Sequence, residues 1–553
     1  MSFASRLLGR LWKLPRPLVR DIAAEPLRIP MRDGTVLLAD RYYSRRRPRQ
    51  PCVLIRTCYG RGTLSGALAA LFAERGMQVV IQSCRGTAGS QGVFHPFFDE
   101  QSDGEDTMQW LEGQPWFDGN LALWGISYLG NTAWAIANSA AAPKLKAMGL
   151  HVTLTNFRDR TYAFDGFTLL SCVGWTVLMQ GLLGDSSTNP LAALFGRRKT
   201  RLLAERAIAA LPLRTAGRII APGGVSWWQD WMDHAEPGDS WWRPVDYGRA
   251  AERIPPTVMV GGWFDIFLPW QLNDFAAAHH AGRDVRITIG PWMHAAFPGV
   301  GESLRQSIEL FQQRFGLTAP PLAAVRPAAP VRLFVMGANE WRDYPSWPIP
   351  NIRAQSYFLD SGGSLSPMAP VHASVSAFDY DPAHPTPSLH GPNLEGTSGS
   401  GDMSDLERRS DVVLFTTEPL PADLEVIGPV WADIFLRSNR EYTDLYLCLC
   451  DVTPASKSTN VCDGYIRLRP QQPSEPRGDS SLPRKVRVEF WPTAYRFPRA
   501  HRLRVIVSSG AHPRYARNPG TGEPLGEAQT VLVAHQEILH GPEHPSAITL
   551  SVG

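Results

Sequence analysis

The segment Leu121-Ala-Leu-Trp-Gly-Ile-Ser-Tyr-Leu-Gly130 constrains this chain more than any other. An apolar, strand-like run leads straight into Gly125-Ile126-Ser127, and the small residues 131–137 read as a helix that starts at once. Strand, sharp turn, serine and helix together form a nucleophile elbow. The turn strains the backbone and lifts the serine hydroxyl clear of the sheet. The helix start then points its unpaired N–H groups at the same place. The general form of the motif is G-x-S-x-G. Here Leu129 stands where the second glycine belongs and Gly130 follows one residue late, so the narrower form G-x-S-Y-x-G applies.

At 553 residues the chain is too long for one core, and two or three domains are expected. Lys+Arg 55 against Asp+Glu 52 leaves no basic stripe that argues for nucleic acid and no acidic tail. The run Arg45-Arg46-Arg47 beside Pro48 reads as a solvated turn. Seven cysteines are odd in number and scattered, with no C-x-x-C pair. Cys448 and Cys450 alternate in a strand-like run and so share one face. Buried reduced thiols are the expectation, which suits a reducing compartment, and a cytoplasmic location follows from it. Residues 1–14 mix Arg and Lys with Leu and Trp; the apolar run is too short for a signal peptide, with a membrane-surface helix as the lesser reading. No stretch reaches the length of a transmembrane helix. His151, His234, His279 and His280 show no metal spacing. Asp103, Glu105 and Asp106 read as an acidic helix start that suits the helix dipole. The turn 85–92 is rich in glycine but lacks the Gly-Lys-Ser/Thr ending of a phosphate loop, and reads as a surface loop near the site.

Short apolar runs recur between helical stretches: Val53–Ile55, Val79–Gln82, Leu121–Trp124, Ala147–Leu150, Val258–Val260, Ile287–Ile289 and Val331–Val335. Strands alternating with helices imply a mostly parallel sheet covered on both faces. Residues 27–42, around Arg32-Asp33-Gly34, read as an opening hairpin. Residues 155–244 lack buried-strand runs and carry helical patterns with Trp175, Trp227, Trp228, Trp231, Trp241 and Trp242, most of them expected to pack the segment on the core. From about residue 350 alternating runs appear between turn clusters, among them 412–415, 430–436, 445–449, 486–490, 503–507 and 531–533. These suggest an antiparallel sandwich, with 361–402 as a long wrapping connection. The expected fold is thus an α/β-hydrolase core (1–154 and 245–349), an inserted helical cap (155–244) and a C-terminal all-β jelly-roll domain (350–553).

A serine hydroxyl needs a base to take its proton, and the usual base is a histidine oriented by a carboxylate. In this fold the order is serine, acid, histidine, each at the carboxyl end of a strand. Val258-Met-Val-Gly-Gly-Trp-Phe-Asp265 and Ile287-Thr-Ile-Gly-Pro-Trp-Met-His294 place Asp265 and His294 just beyond consecutive strands. Either signal alone is weak; the three residues in that order are not. Acyl transfer also needs donors for a developing oxyanion. The backbone N–H of Tyr128 is the first candidate. The hydroxyl of Tyr59, in Arg56-Thr-Cys-Tyr-Gly60, is the second, although a tyrosine there is by default a packing residue.

These motifs resemble the family of bacterial cocaine esterase and the Xaa-Pro dipeptidyl-peptidases, the CocE/NonD hydrolases. The matching text is Arg56–Arg61, Val80–Thr87, Asp118–Asn120, Gly125–Gly130, Gly262–Asp265, Gly290–His294, Val335–Arg342, Tyr380–Ala383, Cys462–Gly464 and His540–Pro545, in the family's order from about Leu27 to the end. The resemblance implies Ser127 as nucleophile, Asp265 as orienting acid, His294 as base, and Tyr59 with the Tyr128 N–H as the oxyanion hole. It implies no cofactor, and a site where the three domains meet.

The amino-acid-ester branch of the family holds a free amine with carboxylates, two of them close after the triad acid. Here Asp265 is followed by Ile266-Phe267-Leu268-Pro269, and a buried amine would lack its counter-charge. In the esterase branch a phenylalanine two residues past the acid lines the benzoyl pocket, and Phe267 stands at that place. Trp175 and Leu394 are candidates for further apolar walls. The expected activity is cleavage of carboxylic esters with apolar or aromatic acyl groups, and the expected partner is a small-molecule ester, with a homodimer left open. The alternative is an Xaa-Pro dipeptidyl-peptidase or an amino-acid ester or amide hydrolase, whose amine anchor would be Glu252 or Asp274; each of these acids reads by default as a solvated surface position. A carbohydrate-binding, non-enzymatic reading is disfavoured by the intact Ser, Asp and His set.

Overall fold

The computed structural model describes residues 3–184, 200–317, 329–394, 397–470 and 482–553. The opening hairpin forms between β1 (Ile22–Pro30) and β2 (Val36–Ser44). Gly34 takes the positive φ, 82°, that the turn requires. They continue into β3 (Gln50–Thr57), β4 (Gln78–Ser83), β5 (Phe117–Ile126), β6 (Leu145–His151), β7 (Thr257–Phe264), β8 (Val285–Met293), β9 (Val331–Val335) and β10 (Glu340–Tyr344). The sheet order is β1-β2-β4-β3-β5-β6-β7-β8-β9-β10. Strands β4, β3 and β5 to β9 run parallel to their neighbours within that series. β2 and β10 join antiparallel at the two ends.

Every residue of β3, β4 and β7 is buried. This is why these strands read as continuous apolar runs. Alternate side chains serve two different cores. Val53, Ile55, Val79, Ile81 and Trp124 pack with Phe72 and Phe311, from helices Thr63–Ala73 and Phe297–Arg314. Leu54, Val80, Leu121 and Leu123 share the opposite core with Ile136, Met108 and Phe275, from helices Tyr128–Asn138, Glu100–Glu112 and Leu268–His280. The N-terminal helix Phe3–Leu11 docks on the first of these layers. Ser5 Oγ donates to Glu74 Oε1 at 2.7 Å, and Trp12 meets Phe297 with ring centroids 4.8 Å apart.

Between β6 and β7 lie the helices Phe157–Thr161, Leu169–Gly184, Ala216–Ile220 and Ser226–Asp233. A two-residue hairpin, Tyr162–Ala163 with Gly166–Phe167, interrupts this segment; it is too short to leave an apolar run in the sequence. Trp227, Trp228, Trp231 and Trp242 are buried, as packing residues should be.

The C-terminal part is all-β: among the described residues twelve strands form one hydrogen-bonded network, antiparallel except for one parallel strand pair at Ser364 and Thr416. Its axis is the long strand Leu424–Ser438. One edge of that strand pairs with Thr493–Phe497 and Arg484–Glu489, the other with Ala547–Val552 and Ala534–His540. The stretch 361–402 is more than a connection, because it contains strands Ser364–Ser366 and Ser374–Tyr380. The second is an edge strand with alternate residues in solvent, so its serines hid it. The run 531–533 is not a strand; Leu532 and Val533 are exposed and the strand starts at Ala534. All seven cysteines are buried and unpaired.

The acidic helix start does more than answer a dipole. Arg56, at the end of β3, is fully buried and pairs with Glu100 at 2.8 Å and Asp103 at 3.7 Å. Asp103 also pairs with Arg85, and Glu105 and Asp106 pair with Arg32. Glu100→Ala would leave the Arg56 guanidinium buried without its nearest counter-charge. We expect a loss of about 3–5 kcal/mol, measured by denaturant unfolding followed through tryptophan fluorescence.

Candidate active site

Ser127 sits between β5 and helix Tyr128–Asn138 with φ 56° and ψ −124°, a conformation side chains rarely adopt. The surroundings hold it there. Its N–H donates to the His151 carbonyl at 3.0 Å, and its own carbonyl accepts from Gly130 at 2.9 Å and Asn131 at 3.1 Å. A Cβ on Gly125 would lie 2.1 Å from the Leu129 carbonyl oxygen, and one on Gly130 would lie 2.6 Å from Thr153. These contacts explain the shifted glycine. The side chain of Leu129 turns into the core with Phe72 and Trp124, and the close approach falls on Gly130 instead.

Asp265 and His294 lie one residue beyond β7 and β8. His294 Nε2 is 2.9 Å from Ser127 Oγ, and His294 Nδ1 is 2.6 Å from Asp265 Oδ2. A carboxylate only accepts, so Nδ1 carries the hydrogen and Nε2 presents its lone pair to the serine hydroxyl. Asp265 is wholly buried, and its other oxygen accepts from the Phe267 N–H at 2.8 Å. Its backbone carbonyl accepts from the Trp491 indole, 226 residues further along, at 3.1 Å. The C-terminal part therefore props the acid loop.

The Tyr59 hydroxyl accepts a hydrogen bond from the Trp175 indole at 3.0 Å. With that lone pair engaged, the phenolic hydrogen is free to point elsewhere. Burial pushes the phenol well above its usual range, with Cys58 adding to the rise and the hydrogen bonds with Trp175 and Ser127 opposing it. The group stays a donor. The Tyr128 N–H opens the helix next to Ser127. The Tyr128 ring is locked below: its hydroxyl donates to Glu100 Oε1 at 2.8 Å and accepts from the Phe97 N–H at 2.9 Å. The Arg56–Glu100 pair thus reaches the site through Tyr128.

One cavity is lined by Ser127, His294, Tyr59 and Tyr128 and also by Phe267, Trp175 and Leu394. All the site residues expected from the sequence meet there except Asp265, which lies behind His294. Phe157, Arg160, Cys172, Trp231 and Ile266 complete the wall. Sequence reasoning missed these, and only Ile266, beside the acid, had a positional signal. The amine-anchor candidates lie elsewhere. Glu252 is exposed. Asp274 is buried rather than solvated, because it accepts from the Thr155 N–H at 2.9 Å and hydroxyl at 2.7 Å. Neither lines the cavity. Among the described residues no group of three or more His, Cys, Asp or Glu is placed to hold a metal, and no helix is long and apolar enough to cross a membrane.

The chain is 30% identical over 573 aligned positions to cocaine esterase of Rhodococcus sp. (strain MB1 Bresler), covering 96% of this chain and 98% of that one. It belongs to the CocE/NonD family of hydrolases. Residues 33–296 match the family described as X-Pro dipeptidyl-peptidase (S15 family), and residues 323–549 match the X-Pro dipeptidyl-peptidase C-terminal non-catalytic domain. Two solved structures share the fold over nearly the whole length. An alpha-amino acid ester hydrolase has a TM-score of 0.79 at 21% identity, covering 98% of each chain. An aminopeptidase from a marine sediment Thaumarchaeota archaeon has a TM-score of 0.78 at 22% identity, covering 98% of this chain and 97% of that one. As a member of the CocE/NonD family, the chain is a serine ester hydrolase in the broad sense.

His151 lies directly below this machinery. Its Nδ1–H donates to the Val260 carbonyl at 3.0 Å, and burial lowers its pKa to about 4. The folded state resists a proton that the unfolded chain takes up near 6.5. Stability contributed by the neutral ring is therefore present above pH 6.5 and lost as pH falls towards 4, by about 3 kcal/mol. Asp274, raised to about 7 by burial, runs the opposite way. In His151→Asn, whose amide can replace the Nδ1–H donor, melting temperature should fall less steeply between pH 6.5 and 4.5 than in the wild type.

Proposed function

We propose that this enzyme cleaves carboxylic esters through an acyl-enzyme, with an aromatic or apolar body to the acyl group. The observation that carries the reading is the continuous chain from buried Asp265 through His294 to Ser127. In the proposed reaction His294 Nε2 takes the serine proton as Oγ attacks the ester carbonyl. The carbonyl oxygen, gaining charge, is met by the Tyr59 hydroxyl and the Tyr128 N–H. Asp265 holds the imidazole in its tautomer and stabilises the imidazolium. His294 then returns the proton to the leaving alcohol, and water repeats the sequence to release the acid. Phe267, Trp175 and Leu394 are the proposed acyl-group walls. In support, the Phe267 and His294 rings meet in a T-shaped contact with centroids 5.2 Å apart. The peptidase reading ranks second, since no carboxylate lines the cavity among the described residues. The division into 1–154 with 245–349, 155–244 and 350–553 is the domain organisation we propose. Seven buried free thiols favour a cytoplasmic location.

Ser127→Ala should lower kcat for p-nitrophenyl esters by roughly 10⁴-fold or more while the melting temperature holds. Turnover close to the wild type would overturn the assignment. Tyr59→Phe should lower kcat by about 10²–10³-fold, with a smaller change in KM. Faster cleavage of an Ala-Pro anilide than of simple esters would favour the peptidase instead.

A further inference from the structure

The acyl pocket contains a charge that a wholly apolar acid would not use. Arg160, near the end of helix Phe157–Thr161, is only 5% exposed and lines the same cavity as Ser127 and His294. Its guanidinium carbon stands 5.8 Å from the centroid of the Phe267 ring, the ring that also borders His294. One guanidinium nitrogen donates to Cys172 Sγ at 3.4 Å, a weak acceptor. Of the other buried arginines, Arg41, Arg56 and Arg514 each pair with a carboxylate at 2.8 Å or closer, and Arg75, whose nearest carboxylate is Glu74 at 3.8 Å, donates instead to the carbonyls of Pro15 and Leu71. Among the described residues Arg160 pairs with no carboxylate. Cys172 does not substitute for one, because burial holds its thiol above the usual range and therefore neutral. A guanidinium withdrawn from water without a counter-charge is costly, and a carboxylate meets its planar fork with two parallel hydrogen bonds.

Building on the esterase reading above, we propose that Arg160 is a specificity-determining residue that receives an anionic group on the acyl part of the substrate. The preferred substrates are then half-esters of dicarboxylic acids, with the free carboxylate on Arg160 and the spacer between the aromatic walls. The bonds made and broken are those of ordinary ester hydrolysis, and the distal carboxylate takes no part in them. The same charge repels the ammonium of an aminoacyl substrate, which agrees with the absence of an amine anchor.

The test is a ratio of kcat/KM within matched pairs: p-nitrophenyl hydrogen glutarate against p-nitrophenyl hexanoate, and 4-carboxybenzoyl against 4-methylbenzoyl esters. In the wild type the carboxylate member of at least one pair should win by about tenfold or more, with the advantage shrinking as salt is raised. Arg160→Met should remove that preference and Arg160→Lys restore part of it. A wild-type ratio at or below one in both pairs overturns the proposal while leaving the esterase reading intact. Calorimetry with glutarate and terephthalate on the Ser127→Ala protein separates the two claims. Binding that vanishes with Arg160→Met supports the anion site even if no ester is turned over, and the absence of binding counts against it.

Discussion

The site depends on one strained residue. Ser127 holds a φ of 56° at the point where β5 becomes a helix, and this conformation alone aims its hydroxyl at His294 and turns the Tyr128 N–H towards the same space. Strain of this kind, of order 1–3 kcal/mol, persists only when the neighbourhood over-determines it. The neighbourhood does so from three sides. The His151 carbonyl fixes the serine N–H from the adjacent strand. Gly125 and Gly130 admit backbone and side-chain atoms where any Cβ would collide. Tyr128 is tied through Glu100 to Arg56 on β3. A buried ion pair is weak grounds for stability by itself. Here it fixes the side chain of Tyr128, next to Ser127, so its value lies in orientation.

Much of this was legible in the sequence, and for identifiable reasons. A strand buried on both faces leaves an apolar run, so the central strands announced themselves, β9 showed by its alternation, and polar residues just past two of those strands marked Asp265 and His294. The opening hairpin carried its Asp-Gly turn. Legibility failed where contact is made across the chain. Trp491 supports Asp265 from 226 residues away, with nothing local to mark it. Arg160 is one arginine among many, and only the fold brings it beside Phe267. Strand Ser374–Tyr380 alternates serine with larger residues at a sheet edge and looked like a linker. The run at 531–533 looked like a strand yet is exposed, because apolar content over three residues says little about pairing.

The parts of the molecule divide the work unequally. Ser127, Asp265 and His294 all stand at strand ends of one sheet, where the backbone is pinned on both sides and distances near 2.9 Å can be kept. Trp175, Phe157 and Arg160 come from the segment inserted between β6 and β7, and Leu394 comes from the all-β part. The residues proposed for the chemistry thus sit on the rigid layer, while the cavity wall is shared: Phe267 and Ile266 come from that same layer beside Asp265, and Trp175, Phe157, Arg160 and Leu394 from what is laid over it. Tyr59 crosses that boundary: its backbone belongs to the core, yet its hydroxyl is oriented by Trp175 from the inserted segment. A shift of the inserted segment would move the Trp175 and Phe157 walls and the hydrogen bond on the Tyr59 hydroxyl together. That coupling is physical: the Trp175 ring that forms part of the proposed acyl-group wall also holds, through its indole N–H, the hydroxyl proposed as an oxyanion donor.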